Sequence, residues 1–324
     1  MKEKTGVVIP CYKVSAHICD LIRKIGHEVD FIIVVDDSCP EKSGALVEKT
    51  FDDPRIRVLY HTANQGVGGA ILTGYQTAIE IGANVIVKLD GDGQMDPELI
   101  PEFIAPILCG EADYTKGNRF FEIETVKQMP LIRLIGNTGL SFLTKLSSGY
   151  WNLFDPTNGF TAISAKVVEQ LPVNKLSRRY FFESDLLFRL NILRAVIVDI
   201  PMLAKYGTEQ SNLKVSREFP QFLHKNLINF SKRLLYNYFI RNFNYASLEL
   251  LIGFPLLSFG IVFGVIRWIE PIQEGVLASP GTVMVAALPI IMGIQMLLGF
   301  VNYDMGSVPS KPLQGRLRVN TRHP

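Results

Sequence analysis

Asn84-Val85-Ile86-Val87-Lys88-Leu89-Asp90-Gly91-Asp92-Gly93-Gln94-Met95-Asp96-Pro97 joins a β-branched run to two carboxylates set two residues apart. The first six residues have the composition of a short strand buried on both faces of a parallel sheet. Ligands of open α/β sheets sit beyond the carboxyl ends of such strands, so Asp90 and Asp92 fall where a ligand belongs. Gly91 and Gly93 allow a sharp turn and leave room beside the acids for a bulky phosphate group. Oxygen donors in this pattern suit a hard divalent cation that keeps some waters and shares a diphosphate. Asp96 and Pro97 read as the N-cap and first residue of the next helix.

The surroundings fit a large α/β domain with an appendage. The chain has 324 residues, 48% of them hydrophobic, which excludes a disordered polymer. A formal charge of +2 carries no nucleic-acid signal, so none is expected as partner. Cys11, Cys19, Cys39 and Cys109 show no metal-type spacing, which predicts reduced thiols in a cytosolic compartment. The first apolar run, Thr5 to Pro10, begins with no charged-then-apolar leader before it, so no secretory signal is expected. There is no internal repeat.

Strands are predicted at Val7–Ile9, Phe31–Val35, Ile56–Tyr60, Val85–Leu89 and Val196–Ile200. Helices are predicted at about 16–26, 42–51, 69–81 and 97–108. The alternation argues for a mostly parallel, doubly wound sheet over residues 1–215. The glycine-rich run Asn64-Gln65-Gly66-Val67-Gly68-Gly69-Ala70-Ile71-Leu72-Thr73-Gly74 fails the dinucleotide pattern at Ile71 and lacks the Lys-Ser/Thr of a P-loop.

Composition then shifts. Within 216–245, aromatic and aliphatic residues interleave with Lys225, Lys232, Arg233 and Arg241, the pattern of a helix lying in a membrane interface. Within 246–304, the runs Ala246–Ile269 and Thr282–Tyr303 are each long enough, at about 1.5 Å per residue, to cover the hydrocarbon core of roughly 30 Å. Their connection carries Glu270 and Glu274 without Lys or Arg, whereas the tail 305–324 is basic. This predicts a multi-pass hairpin in the inner (plasma) membrane, entering and leaving on the cytoplasmic side, with Arg267 as an exception. Gly260 and Gly264, at GxxxG spacing, permit helix association, a homo-oligomer included.

Polar residues gather after three strands: Pro10, Cys11 and Tyr12; Asp36 and Asp37; Asp90, Asp92 and Gln94. Carboxylates there can accept from ribose hydroxyls or a base N–H, and Tyr12 offers a stacking face. With Asn64-Gln65-Gly66, these motifs in this order resemble the family-2 glycosyltransferases of GT-A fold, and within them the dolichyl- and polyprenyl-phosphate branch resembling dolichyl-phosphate mannose synthase. The resemblance spans nearly the whole chain and implies a Rossmann-like GT-A catalytic domain.

It further implies that Asp90, Asp92 and Gln94 bind Mg²⁺ or Mn²⁺ and that Pro10, Tyr12, Asp36, Asp37 and Gly91 line the nucleotide-sugar donor. Arg119 of Lys116-Gly117-Asn118-Arg119 would contact phosphate. Asp155-Pro156-Thr157-Asn158-Gly159-Phe160 resembles the acceptor-side loop, and Phe182-Glu183-Ser184-Asp185 the acidic helix start. The segment after the last strand departs from the family pattern and leaves Lys205, Lys214 and Arg217 as stand-ins for its basic groups.

The implied acceptor is polyprenyl (undecaprenyl) phosphate, already anionic near neutral pH and in no need of a strong base. Were the acceptor a sugar hydroxyl of a lipid-linked glycan, a base would be required, with Asp155 first and Glu183 or Asp185 after it. The segment Arg178-Arg179-Tyr180-Phe181-Phe182 reads equally as an interfacial anchor or as a clamp for acceptor phosphate. A sugar-nucleotide-binding membrane scaffold is the non-enzymatic alternative.

Overall fold

The computed structural model describes residues 3–121, 131–202, 215–274 and 278–320. Contacts divide it into two units, Met1–Phe230 with Pro309–Pro324, and Ser231–Val308.

The first unit is built on seven strands: β1 (Thr5–Cys11), β2 (Phe31–Asp36), β3 (Ile56–Tyr60), β4 (Val85–Lys88), β5 (Tyr114–Asn118), β6 (Thr161–Ser164) and β7 (Ile197–Pro201). They lie in the order β3-β2-β1-β4-β6-β5-β7. β1 is parallel to β2 and β4, β2 to β3, and β5 to β7, whereas β6 runs antiparallel between β4 and β5. The mostly parallel α/β sheet is the one the alternating pattern predicts.

Helices α1 (Ile18–Arg23), α2 (Ser43–Thr50), α3 (Val67–Glu80) and α4 (Ile100–Leu108) fall within or beside the predicted ranges. Asp96 caps the 3-10 turn before α4, accepting from Glu98 N at 3.3 Å, with Pro97 at its first position. The central strands are apolar because both faces are covered. Val7, Ile9, Ile32, Val34 and Val87 are wholly buried, and each such side chain contributes roughly 1.5–3 kcal/mol by leaving water.

β5 and β6 are missing from the sequence prediction, for physical reasons. β5 is Tyr-Thr-Lys-Gly-Asn, buried in full although it holds a lysine and a glycine, so no apolar run marks it. β6 has only four residues. The remaining helices of this unit are α5 (Leu131–Ser148), which packs on α7 (Phe182–Leu193), α6 (Ala165–Gln170), which packs on β6, and the long α8 (Val215–Leu234), whose last turn passes into the second unit. The four cysteines are free.

The second unit holds a π-helical turn, Leu235–Arg241, then α9 (Tyr245–Glu274) and α10 (Pro280–Gly306). Both helices are long and apolar enough to cross a membrane, over Tyr245–Ile269 and Pro280–Gly306. Large apolar side chains such as Phe254, Trp268 and Leu298 are more than 60% exposed. The small residues serve the pairing of the two helices. A Cβ on Gly260 would meet Ala286 O at 2.9 Å, and one on Gly293 would meet Leu257 N at 2.6 Å. Beside the hairpin, Arg233 and Asp304 form a buried bidentate pair, which Tyr238 OH joins at 2.6 Å.

After α10 the chain returns to the first unit. The carboxylate of Asp113 accepts from Leu313 N at 2.7 Å and Gln314 N at 2.8 Å, anchoring α11 (Leu313–Asn320). Gln314 Nε2 donates to Ile107 O and Ala112 O. These residues are some 200 positions apart in sequence, so no local pattern announces them.

Candidate active site

The register that sets Cys11 opposite Asp36 brings the ends of β1 and β2 level, and β4 delivers Asp90 beside them. They open on a cavity of about 360 Å³ lined by Pro10, Tyr12, Asp37, Asp90, Gly91 and Asp92, all expected there, and by Asn64, Gly66, Arg179 and Tyr180. Asp37 organises the far rim. Its Oδ1 meets His61 Nδ1 at 2.7 Å, and its carboxylate accepts from Gln65 N and Gly66 N at 2.8 Å each. His61 is held in turn by Thr73 Oγ1 at 2.9 Å. Asp36, its neighbour, lies outside that lining. Both its oxygens accept backbone N–H groups, from Cys39 at 2.7 Å and Gly44 at 2.8 Å, which ties the strand end to the start of α2.

At the end of β4, buried Lys88 stands 2.9 Å from Asp90 Oδ1 and 2.9 Å from Glu183 Oε1. Burial alone would lower the lysine, but the two carboxylates outweigh it and hold Lys88 above its ordinary value. Gly159 has to be glycine, because a Cβ there would collide with Asp90 Oδ2 and come within 2.7 Å of Lys88 Nζ. The Asp155–Gly159 loop is thereby pressed against the acid. Asp92 Oδ1 accepts from Gln94 N at 3.0 Å, a turn that the positive φ of Gly93 permits.

Asp90 and Asp92 are hard oxygen donors on one cavity, and Asp90 keeps 29% of its side chain exposed. Two carboxylates leave the remaining positions of an octahedral cation to water and phosphate, so these residues fit Mg²⁺ or Mn²⁺. Among the described residues no cluster of three or more His, Cys, Asp or Glu is placed for a metal. Gln94, expected as third ligand, is exposed and outside the cavity lining.

The other expected residues lie deeper. Asp155 is fully buried and clamped by Arg119, Nε to Oδ2 at 2.6 Å and Nη2 to Oδ1 at 3.1 Å, with Thr157 Oγ1 donating to Oδ1 at 3.1 Å. Asp185 accepts from Ser177 N at 2.9 Å and Asn229 Nδ2 at 3.2 Å and pairs with Arg189, fastening α7 to α8. Lys205 and Lys214 lie outside the described residues, as does the side chain of Arg217.

A family model described as "Glycosyl transferase family 2" matches residues 6–172, about half of the chain, including every carboxylate that lines the cavity. The chain belongs to glycosyl transferase family 2.

Among its relatives, the UDP-N-acetylglucosamine–dolichyl-phosphate N-acetylglucosaminyltransferase of Methanococcus voltae is 30% identical over 63% of this chain and 86% of that one. The polyprenol monophosphomannose synthase of Mycolicibacterium smegmatis is 28% identical over 62% and 77%. Among solved structures, glucosyl-3-phosphoglycerate synthase from Mycobacterium tuberculosis, in complex with Mn²⁺ and UDP, aligns with a TM-score of 0.53 at 18% identity. That alignment covers 71% of this chain and 80% of that one, a likeness of fold. The catalytic unit of this family-2 transferase is GT-A-like.

Two residues of the transferase site, Lys88 and Lys116, gave little signal in the sequence, and a third, Arg179, was legible there only as part of an interfacial anchor or a clamp for acceptor phosphate. Lys88 reads as an interruption of an apolar strand. Lys116 is wholly buried in β5 and donates to Asn158 O. Burial pushes it down to about 8, against the attraction of Glu183 and Asp155. Arg179 reaches the cavity from a loop more than a hundred residues beyond Asp37.

Proposed function

We propose that this family-2 glycosyl transferase moves one hexose, with inversion, from a UDP- or GDP-sugar to polyprenyl phosphate, undecaprenyl phosphate in a bacterial membrane, at the cytoplasmic face. What carries the reading is the union in one chain of a carboxylate cavity at the strand ends with two helices of membrane-spanning length. The relatives named for dolichyl-phosphate and polyprenol acceptors support it. The flanks of the hairpin, up to Phe230 and from Pro309, belong to one unit, which supports spans that begin and end on the same side.

In this reading Asp90 and Asp92 hold Mg²⁺ or Mn²⁺, and Lys88 fixes the orientation of Asp90. A bound cation would stabilise charge on the departing nucleoside diphosphate without a proton transfer. Pro10, Tyr12 and Asp37 receive the nucleoside, Asp36 holding the loop behind them. An anionic acceptor is favoured by the state of Asp155, the first candidate base, whose two oxygens are engaged by Arg119 and Thr157. It could take a proton only by breaking a bidentate pair.

The full chain, purified in detergent, should move labelled sugar from one member of a UDP- and GDP-sugar panel onto undecaprenyl phosphate, and EDTA should stop it until Mg²⁺ or Mn²⁺ is restored. Transfer confined to a lipid-linked sugar hydroxyl, or undiminished by EDTA, would overturn the reading.

A further inference from the structure

The glycine-rich run Gly66-Val67-Gly68-Gly69 binds protein backbone. A Cβ on Gly66 would meet Arg178 O at 2.7 Å and Arg179 Cγ at 2.9 Å, and one on Gly68 would meet Ser177 O at 2.5 Å. Gly69 N donates to Arg178 O at 3.0 Å, and Arg178 Nη1 donates to Gln65 Oε1 at 3.0 Å. The missing side chains let the 177–181 loop settle on the first turn of α3. That docking decides where two adjacent arginines stand.

On one side of the loop lies the donor cavity, which Arg179 and Tyr180 help to line. On the other side lies a second cavity of about 200 Å³, closed by α8 and sharing Arg179 and Tyr180 with the first. Among the described residues its lining carries three cations, Arg178, Arg179 and Lys225, and no carboxylate. Lys225 is held in place, its ammonium 5.4 Å from the centroid of the Phe181 ring and 3.4 Å from Ser177 Oγ. Phe181 packs edge-on against Phe222 of the same helix. The acid behind the loop, Asp185, faces Ser177 N, Arg189 and Asn229. Among the described residues the Arg179 side chain is exposed and has no hydrogen-bond or ion-pair partner.

We propose that this second cavity is a lipid-phosphate subsite, in which Arg178, Arg179 and Lys225 hold the phosphate of the acceptor at the wall of the donor cavity. It rests on the acceptor class proposed above. Three cations with no carboxylate partner among the described residues match a phosphate monoester, whose oxygens accept several charge-assisted hydrogen bonds. The recess lies against α8, which carries exposed Phe219, Leu227 and Ile228, apolar side chains of the kind that a helix lying in a membrane interface presents to lipid.

Lys225 lines this cavity and not the donor cavity, which separates the two roles. The full chain, in nanodiscs of phosphatidylcholine, is titrated with undecaprenyl phosphate without donor, and separately with UDP and GDP. Lys225→Gln should weaken undecaprenyl phosphate about tenfold or more, the loss of one hydrogen bond to a charged group, and leave nucleotide affinity unchanged. Lys225→Arg should recover most of the loss. Equal lipid-phosphate affinity in wild type and Lys225→Gln would overturn the subsite whether or not the enzyme turns over. So would an effect that appears only when phosphatidylglycerol is added, which would mark a general anionic-lipid contact. A wild type that binds the lipid phosphate but transfers no sugar to it would instead overturn the proposed reaction alone.

Discussion

Lys88 and Arg233 are both buried cations facing carboxylates, yet their surroundings differ. Arg233 gives a bidentate pair to Asp304, whose side chain is 3% exposed, and Tyr238 OH takes a further position on the same carboxylate. Lys88 faces two acids, and one of them, Asp90, stays 29% exposed on the cavity. By formal charge the first cluster is balanced. The second is left with one negative charge in excess, and Asp92 on the same cavity adds another. A charge-balanced cluster serves the fold, whereas one with excess negative charge on a cavity is prepared for a cation that completes it.

The largest expected effect tests the charge-balanced cluster. Arg233→Met leaves a buried carboxylate without its cation and should cost about 3–5 kcal/mol. Chemical unfolding of the full chain in detergent measures it, and nucleotide affinity should not change under conditions where the variant is folded. Pairing the change with Asp304→Leu should recover most of the loss, because an apolar pair of similar volume replaces both charges. A loss in Mn²⁺ affinity from Arg233→Met would erase the distinction between the clusters.

The cluster with excess negative charge should respond in the opposite sense. Lys88→Met frees Asp90 from its orienting partner and should lower turnover and Mn²⁺ affinity about 10–100-fold, the usual effect of removing a group that orients a metal ligand. Mn²⁺ binding followed by electron paramagnetic resonance reads this without turnover, and Lys88→Arg should restore part of it. Unchanged Mn²⁺ binding in Lys88→Met would mean that the lysine serves only packing.

The legible parts of the chain were those written in local periodicity. β1, β2, β4 and the helices after them follow from apolar runs and caps, and the two long helices follow from length without charge. Roles that depend on partners far away in sequence were not legible. Asp36 and Asp37 are adjacent and chemically identical and each holds two backbone N–H groups, yet only Asp37 lines the cavity, because successive side chains at a strand end point to opposite faces. Arg119 and Asp155 are both motif residues, but their pairing appears only once β5 and the acceptor-side loop meet. The Gly66–Gly69 run looked like a phosphate loop that had lost its signature; its partner is the Ser177–Arg179 backbone.

Lys116 supplies the smallest effect and the finest test, because it lies buried near Lys88 but is shifted the other way. Its ammonium donates to Asn158 O, a neutral partner, and burial outweighs Glu183 and Asp155 to bring it from 10.5 down to about 8. Between pH 8 and 10.5 the unfolded chain therefore binds a proton that the folded chain has released, so this residue makes stability rise with pH across that window. Below pH 8 both states carry the proton and the full penalty of the buried charge is present. Lys88, raised by its carboxylates, contributes stability that is intact throughout that range and is lost only as pH climbs through its higher value. Unfolding midpoints in detergent at fixed ionic strength, compared at pH 7 and pH 9, should rise less in Lys116→Met than in the wild type. An identical rise in both would show that Asn158 and the neighbouring acids hold the Lys116 charge as firmly as Asp90 and Glu183 hold that of Lys88.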